Sequence, residues 1–179
     1  MTKISCNKIF DELKNKNGIF EAKTHLEKDI LEDLSVQCQK ECGWESPVIT
    51  RERLNDDVKT YIYIEDGYVK GYAAFSIGTY IDNETGEQLS TRCIGELYTC
   101  PKYRGNGISS KLIDYGIKKL EIDVNNLCVV HPVMPAARNI ILKRAGEKMM
   151  LIIEEQAVRG PKKAVENSEP WNDITFRIM

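Results

Sequence analysis

Residues Glu96 to Leu112 read ELYTCPKYRGNGISSKL, and they decide the fold. A β-prone run ends at Pro101, a short turn follows, and a helix starts near Ser109. Arg104-Gly105-Asn106-Gly107-Ile108-Ser109 fills that turn. Glycines adopt backbone conformations that a side chain forbids and let the chain come close to a ligand. A helix start offers unpaired N–H groups and the positive end of a dipole. Together they make an anion site suited to a pyrophosphate, with Arg104 adding positive charge nearby. A Walker loop is absent, and the Rossmann pattern fails because Ser110 stands at its third glycine position. On residues alone, the bland alternative for a lone GxG is a tight strand-to-helix turn with no ligand.

Upstream the chain reads as helical. A short helix is predicted over Lys8 to Lys16, broken by Asn17-Gly18, and a longer one over Phe20 to Lys40. The buried stripe of the longer helix would be Ala22, Leu26, Ile30, Leu34 and Cys38. Three strands follow, Thr60 to Glu65, Tyr68 to Tyr80 and Leu89 to Thr99, with turns at Asp66-Gly67 and Asp82 to Glu87. They form an antiparallel meander.

Downstream the elements alternate. Ser109 to Ile122 is a helix with Leu112, Ile113, Gly116, Ile117 and Leu120 inward, and Leu127 to Val130 a short buried strand. A helix over Ala136 to Ala145, a strand over Met149 to Val158, a loop over Arg159 to Asn172 and a strand over Ile174 to Met179 complete the prediction. Leu89 to Val130 needs a right-handed parallel crossover. The expected fold is therefore α/β, a central mixed sheet flanked by helices, in a single domain over residues 1–179.

The 179 residues suit one domain, and an apolar fraction of 42% with 29% charged residues suits a soluble globular protein. A net charge of −2 argues against a dedicated nucleic-acid binder. No run approaches the roughly 20 apolar residues of a membrane span. The six cysteines, Cys6, Cys38, Cys42, Cys93, Cys100 and Cys128, form no CxxC pair, and histidines number two. They read as reduced thiols of a cytoplasmic protein with no metal site.

ELYTCPKYRGNGISSKL resembles the acetyl-CoA-binding motif of the GNAT acyltransferases, a strand "L-x-V-x-P-x-Y-R" followed by "G-x-G-x-G/A" and a helix. Leu97, Pro101, Tyr103, Arg104, Gly105, Gly107 and Ile108 match it. Ile62 to Phe75 is similar to the family's second and third strands, and Ala136 to Lys148 to a later helix. The resemblance spans Thr60 to Leu151 and implies a GNAT-like fold and transfer of an acetyl group from acetyl-CoA to a primary amine. It implies that the backbone at Leu97, Tyr98 and Thr99 pairs with the pantetheine arm. It gives the pyrophosphate to N–H groups of Arg104, Gly105, Asn106, Gly107, Ile108, Ser109 and Ser110, and adds Asn139 from the later helix. Ser109 replaces the usual Gly or Ala, and its hydroxyl is placed to cap the helix.

Attack by an amine with a pKa of about 10 needs a base at neutral pH. The resemblance puts Glu96 where many relatives carry a basic carboxylate; the bland reading is a solvated carboxylate or one holding an arginine. His131, ending the strand before Pro132, is either a base or substrate contact or a simple strand cap. Relatives often protonate the leaving thiolate with a tyrosine where this chain has Leu142. Water, or Tyr98 if it faces the site, would replace it. Cys100 and Cys128 are imaginable nucleophiles, but no paired base marks either.

The competing class is a non-catalytic GNAT-fold interaction or structural protein, or an acyl-CoA sensor. A nucleic-acid-modifying acyltransferase is disfavoured by the acidic balance. The acceptor is unreadable. Trp44 and Trp171 lie in the segments that would shape its pocket, and Glu27, Asp29, Glu32 and Asp33 would either attract a cationic amine or form a solvated face. His25 reads as a surface or packing residue. The resemblance allows a homodimer.

Overall fold

The computed structural model describes residues 5–41, 58–82, 85–124, 127–130, 139–140, 143–144, 148–153 and 156–161. The chain forms two compact units, Met1–Phe75 with Glu96–Gly116 and Ser76–Gly95 with Ile117–Met179.

The first unit opens on two 3-10 turns, Ser5–Asn7 and Asp11–Leu13, where a helix over Lys8 to Lys16 was expected. Tertiary anchoring overrides local helix propensity here. Cys6, Phe10 and Leu13 are buried, and the Phe10 N–H donates to the Gly67 carbonyl at 3.0 Å. Strand β1, Gly18–Glu21, then pairs antiparallel with β2, Val58–Glu65, in the register Phe20↔Ile62. Phe20 and Glu21 are thus sheet residues, not the start of a helix.

Helix α1 runs over His25–Glu41. Its start is set by Thr24 and Glu27, a T-x-x-E capping box. The Thr24 N–H donates to Glu27 Oε2 at 2.9 Å, and the Glu27 N–H donates to Thr24 Oγ1 at 3.2 Å. The Lys23 N–H and the Lys16 ammonium, at 2.8 and 2.5 Å, complete the shell of Glu27. Burial alone would raise this carboxyl, but the Lys16 ammonium and the two backbone N–H groups outweigh it and hold it below its ordinary range. Glu27 is 1% exposed, so it belongs neither to a solvated acidic face nor to an amine-attracting one.

Ile30, Leu34 and Cys38 are buried as expected, with Leu26 and Ala22 packed at the edge. A second buried row runs beside them, Glu27, Leu31, Ser35 and Gln39. The three polar members hid it from a search for apolar periodicity.

Asp66 and Gly67, at φ 54° and 78°, make the tight turn from β2 into β3, Tyr68–Asp82. Strand β4 is Gln88–Thr99. Within the first unit the strand order is β1-β2-β3-β4. Gly71 lets β3 and β4 approach, because a Cβ there would lie 2.6 Å from the Tyr98 carbonyl oxygen. Helix α2, Ile108–Lys119, packs through Ile108, Leu112, Ile113 and Gly116, and a side chain at Gly116 would overlap the Phe75 ring.

The expectation of reduced thiols is corrected. Cys6 and Cys100 form a disulfide, with a Cα separation of 5.6 Å that suits the bridge, and Cys93 is also disulfide-bonded. Packing of the first 3-10 turn against the end of β4 closes a sequence separation of 94, a pairing that spacing cannot reveal. Cys38 is buried and stands outside any disulfide.

In the second unit β5, Leu127–Val130, runs parallel to β4 with Cys93 beside Cys128, the crossover expected from the sequence. Strand β6, Lys148–Ile153, is parallel to β5. Strand β7, Gln156–Pro161, is antiparallel to β6 and pairs in parallel with the end of β3 at Ile81↔Gln156. The single strand expected over Met149 to Val158 is therefore two. The reversal falls between Ile153 and Gln156, where no glycine or proline announces it. Asn139 and Ile140 are helical, within the helix expected over Ala136 to Ala145. The strand expected over Ile174 to Met179 lies outside the described residues. The architecture is the mixed α/β one expected. Among the described residues no helix is long and apolar enough to cross a membrane.

Candidate active site

The residues that bear on chemistry gather in the first unit, where β4 runs out and α2 begins. Thr99 ends β4, and a 3-10 turn, Pro101–Tyr103, reverses the chain through N–H bonds from Tyr103 to the Cys100 carbonyl and from Arg104 to the Pro101 carbonyl at 2.8 and 3.3 Å. Gly105 and Gly107 then take φ 83° and 71°, the left-handed region that favours glycine. A Cβ built at either meets nothing within 4 Å. Their conformation, not crowding, demands glycine, and the space a side chain would take is open to a ligand. The Lys111 N–H donates to the Gly107 carbonyl at 3.0 Å, so the backbone just ahead of it is the first turn of α2, whose N–H groups have no acceptor within the helix. An extended strand, two open glycines and a helix N-terminus therefore form a cradle that fits a pyrophosphate.

Ser109 lies inside α2 rather than at its cap. Its hydroxyl meets Thr99 Oγ1 at 2.6 Å and ties the helix to the strand. Arg104 does not reach out over the cradle. Its guanidinium pairs with Glu41 at the end of α1, its Nε donates to the Thr99 carbonyl at 3.0 Å, and it lies 5.6 Å from the Tyr98 ring centre.

Glu96 sits two residues before Tyr98 on the face of β4 turned to α1. It is 7% exposed, so it is not solvated, and among the described residues no arginine grips it. Ser35 Oγ donates to its oxygens at 3.2 and 3.0 Å, and Gln39 Nε2 donates at 2.7 Å. Burial pushes its carboxyl above the ordinary 4.5, and the hydrogen bonds from Gln39 and Ser35 offset this only in part. Tyr72 is fully buried, and burial followed by the Glu96 charge pushes its phenol well above 10.0. A buried carboxylate with a raised pKa and neutral donors is the environment of a proton acceptor.

The Tyr98 hydroxyl donates to Glu41 Oε1 at 2.7 Å. Burial and that carboxylate push its phenol far above the usual 10.0, which makes it a poor proton donor to a thiolate. Cys100, in its disulfide, offers no thiol.

Strand β4 and the loop thus bring together Glu96, Leu97, Tyr98, Thr99 and Arg104 through Ser110. Asn139 is exposed in the second unit. His131, Leu142, Trp44 and Trp171 lie outside the described residues. His25 is exposed at the start of α1. Sequence reasoning missed Ser35, Gln39, Tyr72 and Glu41. The available signal was the polar residues on one row of α1, Glu27, Ser35 and Gln39, spaced by eight and four residues.

The model of the acetyltransferase (GNAT) family matches residues 24–140, more than half of the chain. A predicted acetyltransferase with acetyl-CoA from Clostridium acetobutylicum is similar in structure, with a TM-score of 0.54 and 20% identity over 70% of this chain and 86% of that one. A ribosomal-protein-alanine N-acetyltransferase from Brucella melitensis biovar Abortus 2308 has a TM-score of 0.50 and 18% identity over 72% of this chain and 90% of that one. At these identities the likeness concerns the fold. No curated protein matches the chain in sequence.

Proposed function

Because the chain belongs to the acetyltransferase (GNAT) family, we propose that it transfers an acetyl group from acetyl-CoA to a primary amine by direct attack in a ternary complex. The observation that carries this reading is the cradle between β4 and α2, with Gly105 and Gly107 left-handed and open beside the N-terminus of α2. N–H groups from Gly105 into the first turn of α2 hold the pyrophosphate, the Arg104 N–H being engaged by the Pro101 carbonyl. The backbone of Leu97, Tyr98 and Thr99 orients the pantetheine arm, and an N–H near Thr99 polarises the thioester carbonyl.

The amine nitrogen attacks that carbonyl, a C–N bond forms, the C–S bond breaks, and CoA leaves as a thiolate. Glu96, directly or through a water, takes the amine proton. Its raised pKa brings it nearer to that task, because a base works best when its pKa approaches the working pH. Water protonates the departing thiolate, which with a thiol pKa of about 8.5 is a fair leaving group. Tyr98 serves instead to hold Glu41.

The test is thiol release from acetyl-CoA in the presence of a panel of primary amines. Turnover with at least one amine, saturable in both substrates, is the expected result. Acetyl-CoA binding without turnover on any amine, peptide N-terminus or lysine side chain would overturn catalysis in favour of an acyl-CoA-binding protein.

A further inference from the structure

We propose that Glu41 is a positioning residue for the cradle. It holds Arg104 as a strut from the end of α1 to the loop, so that Arg104 braces the backbone and does not lend its charge to the pyrophosphate. The inference rests on the acetyl-CoA reading of the loop.

Four observations carry it. Arg104 is engaged on two sides, by Glu41 through its guanidinium and by the Thr99 carbonyl through Nε at 3.0 Å. The Thr99 bond clamps the two ends of the Pro101–Tyr103 turn, and Arg104 leads directly into the left-handed Gly105. Glu41 is the last residue of α1, where a helix disfavours a negative charge. It stays there with three donors converging on it, the Arg104 guanidinium, the Tyr98 hydroxyl at 2.7 Å and Gln37 Nε2 at 3.2 Å. Burial would raise its pKa, but Arg104 and Tyr98 outweigh that and hold it below the usual carboxylate range. Arginine and carboxylate sum to no net charge, so the pair adds little to the attraction of an anion. That attraction is left to N–H groups and the α2 dipole.

The test uses the full chain and three variants, Glu41→Gln, Arg104→Ala and both together, titrated with acetyl-CoA. Backbone amide exchange from Gly105 to Ser109 is followed in the ligand-free protein. A strut predicts that Glu41→Gln weakens acetyl-CoA by about 3- to 10-fold, the range of one partly exposed ion pair. Arg104→Ala does the same, and the double variant is no weaker than Arg104→Ala alone. Loop amide exchange quickens in each. Glu41→Gln with unchanged or tighter binding overturns the proposal, because an arginine released from its carboxylate would then be meeting the phosphate. Should the unmodified protein bind no acetyl-CoA, the cofactor reading fails. The exchange measurement then decides the strut by itself, with unchanged exchange in Glu41→Gln overturning it.

Discussion

The cradle at Gly105 to Ser109 and the pocket around Glu96 are joined by one strand and built on opposite principles. The cradle is exposed at Gly105, Asn106 and Gly107 and made of backbone, with Arg104, Ser109 and the buried Ile108 anchoring it. The pocket is buried and made of side chains, with Ser35 and Gln39 from α1 and Tyr72 from β3 around one carboxylate. A site made of backbone tolerates side-chain changes that keep its φ angles. A site made of buried polar side chains tolerates almost none, because each donor removed leaves a partner unsatisfied.

The largest expected effect follows from the pocket. Glu96→Gln keeps the shape and removes the proposed base, so turnover should fall about 10²- to 10⁴-fold while acetyl-CoA affinity, which the proposal assigns to the cradle, stays the same. A parallel loss of affinity would mean that the two regions are not separable. Next comes Gln39→Leu, which strips one donor from the buried carboxylate. It should lower stability by about 1–3 kcal/mol in denaturant melts.

The pH dependence sharpens the same point. Glu96 has a folded pKa raised above 4.5, so its contribution to stability is whole below that value and is lost as pH rises through the higher folded value. Gln39→Leu should widen that window upward. Glu96→Gln should abolish this part of the profile. The smallest effect belongs to the cradle. Asn106 is exposed and its amide donates to the Tyr103 carbonyl at 3.2 Å, so Asn106→Ala should change stability by no more than about 0.5 kcal/mol. A larger loss would show that the cradle also depends on its side chains.

The two regions also differ in how far the sequence announced them. Arg104-Gly105-Asn106-Gly107 was legible because glycine spacing reports backbone conformation directly, and the hairpin at Asp66-Gly67 was legible for the same reason. The meander and the β4–β5 crossover followed from strand periodicity. The pocket was half legible. Glu96 could be nominated from its strand position, but its donors stand 57 and 61 residues away, on a helix face whose polar members break the apolar pattern. Helix α1 was misplaced at its start because Phe20 fits an amphipathic period as well as a strand. The capping box Thr24 to Glu27 was the stronger signal. The disulfide between Cys6 and Cys100 and the reversal before Gln156 are fixed by tertiary approach, and nothing local marks either.

The central claim is that the open glycine cradle binds the CoA pyrophosphate. Calorimetric titration of acetyl-CoA into the unmodified protein and into Gly107→Glu tests it most directly. At φ 71° a non-glycine residue is strained, and a carboxylate there would occupy the open space and repel the phosphates. Saturable binding to the unmodified protein, lost in a Gly107→Glu variant whose thermal melt shows it folded, is the predicted result. Equal binding to both proteins, or to neither, would contradict the account.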